Sequence, residues 1–245
     1  MMKTSPKSPA FLKAVLVLAA AAASSVSATT FPTIQDNTAC ARLVVGGEEV
    51  IVAAHGSFQP AGSLEIINFT ASGPGATRLA APDGAAAANC APIEDTDLVT
   101  VIPPSRDVVK VYRLEALAPS GYTLTLRHTL PAPGATVLQV LAVSDDGSAA
   151  VVRASSTPLL LREGQAAAPF AGLVGAGWTA GGFIVATNGN NQLSLSAVDG
   201  SSSVSVPGDT FSAFDATGVW LASPSIGLRR HVLPSLGVAA VSAPL

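Results

Sequence analysis

The chain has 245 residues, 49% of them hydrophobic and only 12% charged, with 22 glycines, 18 prolines and two cysteines. Its formal net charge is −3 and becomes −6 if Lys3, Lys7 and Lys13 leave with a cleaved leader, which excludes the basic footprint of a nucleic-acid-binding protein. The length allows one large β-sandwich or two of about 100 residues each.

Residues 1–28 have the form of a secretory signal peptide. Three lysines precede an uncharged run from Ala14 to Ala23, and Val26-Ser27-Ala28 supplies small side chains at the positions a signal peptidase reads. The run is shorter than the about 20 apolar residues needed to anchor in a bilayer. The expected product begins at Thr29 and is secreted, or periplasmic if the source is a Gram-negative bacterium. No later stretch is long and apolar enough to span a membrane, and the C-terminus is too short for a lipid-anchor signal.

Thr29 to Thr38 reads as a polar, proline-containing arm. Arg42–Val45 and Val50–Ala54 are short β-branched runs joined by a four-residue loop, Gly46 to Glu49, and Leu64–Phe69 is the next strand. Cys40 and Cys90 are expected to form one disulfide in an oxidising compartment, closing about 50 residues and contributing about 4 kcal/mol; the competing reading is two buried thiols. Asn68-Phe69-Thr70 is a glycosylation sequon, so in a eukaryotic product Asn68 would carry a glycan and face solvent. Gly73–Ala91, rich in Ala, Gly and Pro, reads as an irregular loop. Glu94, Asp95 and Asp97 place hard oxygen ligands close together, as Ca²⁺ requires, although without the ligand order of an EF-hand and with a solvated turn as the plainer account.

Leu98–Ile102 is a strand, and Val108–Leu117 changes phase between Val111 and Tyr112, which a β-bulge would reconcile. Asp107 to Thr129 resembles the central strands of bacterial pre-peptidase C-terminal β-sandwich domains over about a tenth of the chain, without a diagnostic residue. Tyr122 to Leu130 alternates apolar with polar residues, the period of a half-buried strand. Pro131–Gly134 then reads as a turn into the apolar run Val137–Val143, and Asp146-Gly147 as a tight hairpin into Ala149–Val152. Together these predict a three-stranded meander.

Pro158–Arg162 is a short strand, and five glycines surround Trp178 between Gly172 and Gly182. Gly182–Thr187 and Gln192–Val198 form a predicted hairpin, and Val204–Val206, Val219–Ala222, Leu228–Leu233 and Val238–Val241 are weaker strands. The fragments LAAPDGA, LAVSDDGS and LSAVDGS share a Leu and an Asp-Gly. Their starts are 62 and 54 residues apart, which fits a common hairpin turn better than a threefold repeat.

The fold expected is all-β: an antiparallel β-sandwich, either 29–156 with the disulfide followed by a Gly/Ser-rich region 157–245, or 29–245 as one continuous sandwich. No G-x-S-x-G elbow, H-E-x-x-H, P-loop or C-x-x-C is present. His55, His128 and His231 are scattered, and His128 reads as a hydrogen-bonded rim histidine. Trp178 has two readings, an exposed platform for a sugar or a ring buried against glycine backbone, whereas Trp220 between Val219 and Leu221 reads as core. The function expected is a secreted non-enzymatic module that binds a glycan, a surface, a protein partner or its own copies. The alternatives are a hydrolase whose carboxylates or Ser and His meet only in space, and a structural subunit using the arm 29–38 to extend a neighbour's sheet.

Overall fold

The computed structural model describes residues 37–55, 63–70, 73–84, 90–118, 121–155, 157–179, 182–189, 192–198, 202–206, 210–215, 218–223, 227–232 and 235–241. The predicted signal peptide and most of the arm 29–38 lie outside them. The described residues belong to one compact unit, Asp36–Leu245. They are nearly all β, and no helix among them is long and apolar enough to cross a membrane.

Among the described residues, five antiparallel sheets of four strands follow one another along the chain. The first contains β1 (Asn37–Val45), β2 (Glu48–His55), β3 (Ser63–Thr70) and β4 (Gly73–Ala80), and the second β5 (Cys90–Pro92), β6 (Leu98–Val101), β7 (Val108–Ala116) and β8 (Tyr122–Pro131). The third contains β9 (Val137–Val143), β10 (Ala149–Ala154), β11 (Leu159–Arg162) and β12 (Ala168–Pro169). β13 (Leu173–Thr179), β14 (Gly182–Gly189), β15 (Gln192–Ala197) and β16 (Ser203–Val206) make the fourth, and β17 (Thr210–Asp215), β18 (Gly218–Ser223), β19 (Gly227–Val232) and β20 (Gly237–Val241) the fifth. Within each sheet every strand pairs with its neighbour in sequence, so each is an up-and-down meander.

The core is divided among the sheet faces. Leu43, Val52 and Ile66 of the first sheet pack with Val101 and Leu114 of the second. Val111 and Leu130 of the second pack with Val143, Val152 and Leu161 of the third. Val151 and Leu160 on the third sheet's other face meet Phe183 and Val185 of the fourth, and Ile184 and Leu195 of the fourth meet Val219 and Leu221 of the fifth. A middle sheet therefore buries both faces, which explains why β10 is apolar at four successive positions: Ala150 and Val152 point one way, Ala149 and Val151 the other.

The all-β, antiparallel class expected from sequence is present, with five sheets rather than the two of a single sandwich. Three local expectations are corrected. Pro131–Gly134 is not a hairpin turn: β8 ends the second sheet and β9 begins the third, so the predicted meander is split between two sheets. Residues 73–80, expected as loop, form β4, paired along its length with β3. The β1–β2 loop is two residues, Gly46 and Gly47, both at positive φ (62° and 86°), as a type I′ turn requires, which leaves Glu48 and Glu49 in the strand. β10 and β11, on either side of residue 156, pair in register within one sheet.

The crossing from the first sheet to the second is tied down by Asp83, which stands at φ 57° in the 3₁₀ turn Pro82–Gly84. Its carboxylate accepts the Tyr112 hydroxyl at 2.6 Å and the Lys110 ammonium at 3.0 Å. These bonds hold it below the usual carboxylate range.

Candidate functional site

The site begins with a bulge. Val111 pairs with His128 and Tyr112 with Leu126, so Arg127 is an extra residue on β8. Before it Tyr122 and Leu124 pack towards the first sheet; after it Leu130 packs towards the third. The phase change expected in β7 is absent, because the strand alternates regularly. Val109 and Val111 face the third sheet while Tyr112 and Leu114, on the opposite face, meet the first, and the extra residue sits on the partner strand.

The same shift turns His128 towards the third sheet. Its Nδ1 lies 2.9 Å from Glu163 Oε2 and its Nε2 3.0 Å from the Asp146 carbonyl oxygen. Both partners are acceptors, so both contacts are hydrogen bonds when the ring carries two protons. The expectation of a hydrogen-bonded rim histidine holds.

Asp146 belongs to the β9–β10 turn, where Gly147 adopts the positive φ anticipated from Asp-Gly (79°) and donates its N–H to the Ser144 carbonyl at 2.8 Å. Asp146 Oδ1 accepts from the Ser144 hydroxyl (2.7 Å), the Ser148 N–H (3.0 Å) and the Ser148 hydroxyl (2.9 Å). The Ser144 bond first, then the Ser148 N–H, holds this carboxyl below its ordinary range. The β11–β12 turn carries Arg162, Glu163 and Gln165, and the Glu163 N–H donates to the Ser148 carbonyl at 3.0 Å, joining the two turns.

These turns form the polar wall of a cleft of about 590 Å³ between the third and fourth sheets. Asp145, Asp146, Arg162, Glu163 and Gln165 line it on that side; Ala149, Trp178, Phe183 and Val198 supply apolar surface. Trp178 and Phe183 are cross-strand partners with ring centroids 4.8 Å apart and planes at 74°, an edge-to-face pair. Trp178 is half-buried, between the two sequence readings. Part of the ring is open to the cleft, while its Nε1 is covered and has no acceptor among the described residues.

The remaining expected residues do not converge here. Asp95 pairs with Arg42, and Asp97 with Arg113 at 2.9 Å. Glu94 is exposed, and no group of three side chains arranged to ligate a metal occurs among the described residues. Cys40 and Cys90 are not joined. Cys90 packs in the core between the first two sheets with Ala41 and Leu43, and strand alternation puts Cys40 on the opposite face of β1 from those two residues. Burial raises both thiols, Cys90 to about 11.

Asn68 lies on the same face of β3 as buried Leu64 and Ile66, is half-buried, and hydrogen-bonds the Tyr122 side chain. His231 is buried with Nδ1 2.8 Å from the Leu236 carbonyl. The His55 side chain is outside the described residues. Trp220, expected as core, is half-buried on the face opposite Val219 and Leu221, with the Arg230 guanidinium 5.7 Å from its ring centroid.

No protein-family model and no curated protein matches the chain. Among solved structures the chain is similar to Hsv2 of Kluyveromyces lactis at 10% identity and a TM-score of 0.48, over 79% of this chain and 59% of that one. It is similar to a Lactobacillus plantarum protein at 13% identity and a TM-score of 0.42, over 84% and 71% of the two chains. A third similarity is to the periplasmic gluconolactonase PpgL of Pseudomonas aeruginosa, at 22% identity and a TM-score of 0.40, over 84% and 69%. The chain thus spans a little under two thirds of Hsv2.

Proposed function

We propose that the protein is a secreted, non-enzymatic binding module that holds a saccharide in the cleft between the third and fourth sheets. The observation that carries this reading is the joining of a partly exposed Trp178 to a wall of carboxylate, guanidinium and amide groups in one cleft of about 590 Å³. That volume suits a small ligand. An aromatic face takes the apolar face of a sugar ring, and the polar groups exchange hydrogen bonds with its hydroxyls. Export rests on the form of residues 1–28.

The scaffold fits the same reading. The first strands of successive sheets lie against each other, β1 on β5, β9 on β13 and β13 on β17. Four-stranded meanders whose first strands adjoin are the pattern of β-propeller blades, and the cleft is walled by turns of one such sheet, the kind of segment on which binding residues concentrate.

A hydrolase is the second reading, because one cleft gathers three carboxylates. Two of them are already engaged. Asp146 accepts three hydrogen bonds that keep it ionised, which suits it poorly as an acid, and Glu163 is bonded to His128. Ser144 directs its hydroxyl to Asp146 rather than to a histidine. Binding without turnover is therefore the conclusion.

The test is an oligosaccharide array probed with the exported protein, followed by titration of a ligand it identifies. Trp178→Ala should weaken binding at least about tenfold, the loss expected of an aromatic anchor. Gln165→Ala, at the exposed rim, should leave the fold intact and weaken binding by a smaller factor. Unchanged affinity in both variants removes the cleft from the reading, and release of shortened sugars would establish the hydrolase instead.

A further inference from the structure

The charge in the cleft narrows the ligand. Asp145, Asp146 and Glu163 contribute three carboxylates to its lining against the single guanidinium of Arg162. Asp146 is held ionised by Ser144 and Ser148. Glu163 uses Oε2 for His128, leaving Oε1 for another donor. Asp145 is exposed at the apex of the turn and has no ion pair among the described residues. An anionic ligand would meet three like charges for one opposite charge. A neutral sugar would leave the excess uncompensated.

The apolar side of the cleft points the same way. Part of the Trp178 indole lines the cleft beside Phe183, its edge-to-face partner, and an indole attracts a cation to its face. A ligand that combines a sugar ring with a positive charge uses both walls at once.

We infer that the saccharide held in this cleft carries free amines, as an oligomer of glucosamine does, with Asp145 and Glu163 receiving its ammonium groups beside Trp178. This rests on the binding reading above and goes beyond it in naming the ligand class. Neutral, acetylated and acidic sugars are the alternatives.

The experiment is calorimetric titration of the exported full-length protein at about pH 6, where a primary amine is protonated. The probes are the β-1,4-linked tetramers of glucosamine, N-acetylglucosamine and glucose, together with a galacturonic acid tetramer. The glucosamine tetramer should bind about tenfold more tightly than the other three, with affinity falling as salt is raised. Asp145→Asn, which removes no structural bond among those described, should reduce glucosamine binding about fivefold and weaken the N-acetylated tetramer by a smaller factor. Equal affinity for free and acetylated amines, or no effect of Asp145→Asn, overturns the inference while the saccharide reading stands. Failure of all four sugars overturns both.

Discussion

Gly147 carries more of the site than its size suggests. It closes the turn that presents Asp145 and Asp146, and it does so at φ 79°, a conformation that costs an L side chain about 1 kcal/mol or more. A Cβ at this position would stand 2.8 Å from Val111 Cγ1 and 3.2 Å from His128 Cδ2, inside the contact between the second and third sheets. Gly147→Ala should therefore destabilise by about 2 kcal/mol, the sum of left-handed strain and overpacking, and should also loosen His128 from Asp146. Thermal denaturation of the variant checks the first part, and a change in the His128 ring resonances by NMR checks the second. A variant as stable as the native chain would mean that the turn relaxes freely.

This turn was legible because Asp-Gly between apolar runs has one common solution. The wider site was not. Glu163 and Arg162 come from the next hairpin, and nothing local marks Glu163 as a partner for His128, 35 residues away. The cysteines misled for a related reason: composition and compartment argue for a bridge, but pairing depends on which face of β1 each odd or even position takes.

At the scale of the element, the bulge at Arg127 decides where a whole strand looks. Even-numbered residues before it turn towards the first sheet, and even-numbered residues after it, His128 and Leu130, towards the third. A strict period of 2 from Tyr122 to Leu130 hid this, because the alternation continues in sequence while the face changes in space. The side chain of Arg127 is not what matters. It is exposed and pairs with Glu115 at 2.8 Å, an interaction worth about 0.5 kcal/mol at most at such a site. Arg127→Ala should be nearly neutral. Deleting Arg127 should also cost little, about 1 kcal/mol or less, since Leu126 and His128 then become adjacent residues on opposite faces, still opposite Tyr112 and Val111, and both cores keep their side chains. Denaturant unfolding of the two variants checks this, and a loss of about 3 kcal/mol or more on deletion would mean that the bulge itself is needed to hold the strand between its two cores. β4 illustrates the opposite case: Gly73-Pro74-Gly75 argues against a strand, and the pairing with β3 prevails over local propensity.

For the whole molecule, the repeat that organises the chain left almost no trace in the sequence. The three Asp-Gly fragments are not equivalent positions. The first reaches the crossing after β4, the second the β9–β10 turn, and the third runs on from β15. What recurs is a pattern of faces, met by any small or branched apolar residue at alternate positions, so Ala, Val, Leu and Ile exchange freely and identity fades. The consequence, among the described residues, is a core in four parts, each shared by successive sheets, and such a chain should lose structure by neighbourhood rather than all at once. Leu221 is fully buried between the fourth and fifth sheets and touches neither the first nor the second. Leu221→Ala should cost about 2 to 5 kcal/mol in that cluster. In native-state hydrogen exchange its amides should open early in β13 to β20, while β1 to β8 keep their native rates. The mirror variant Leu43→Ala, in the cluster between the first two sheets, should reverse the order. If either substitution accelerates all five sheets equally, the four clusters unfold as one cooperative unit and the neighbour-by-neighbour description fails.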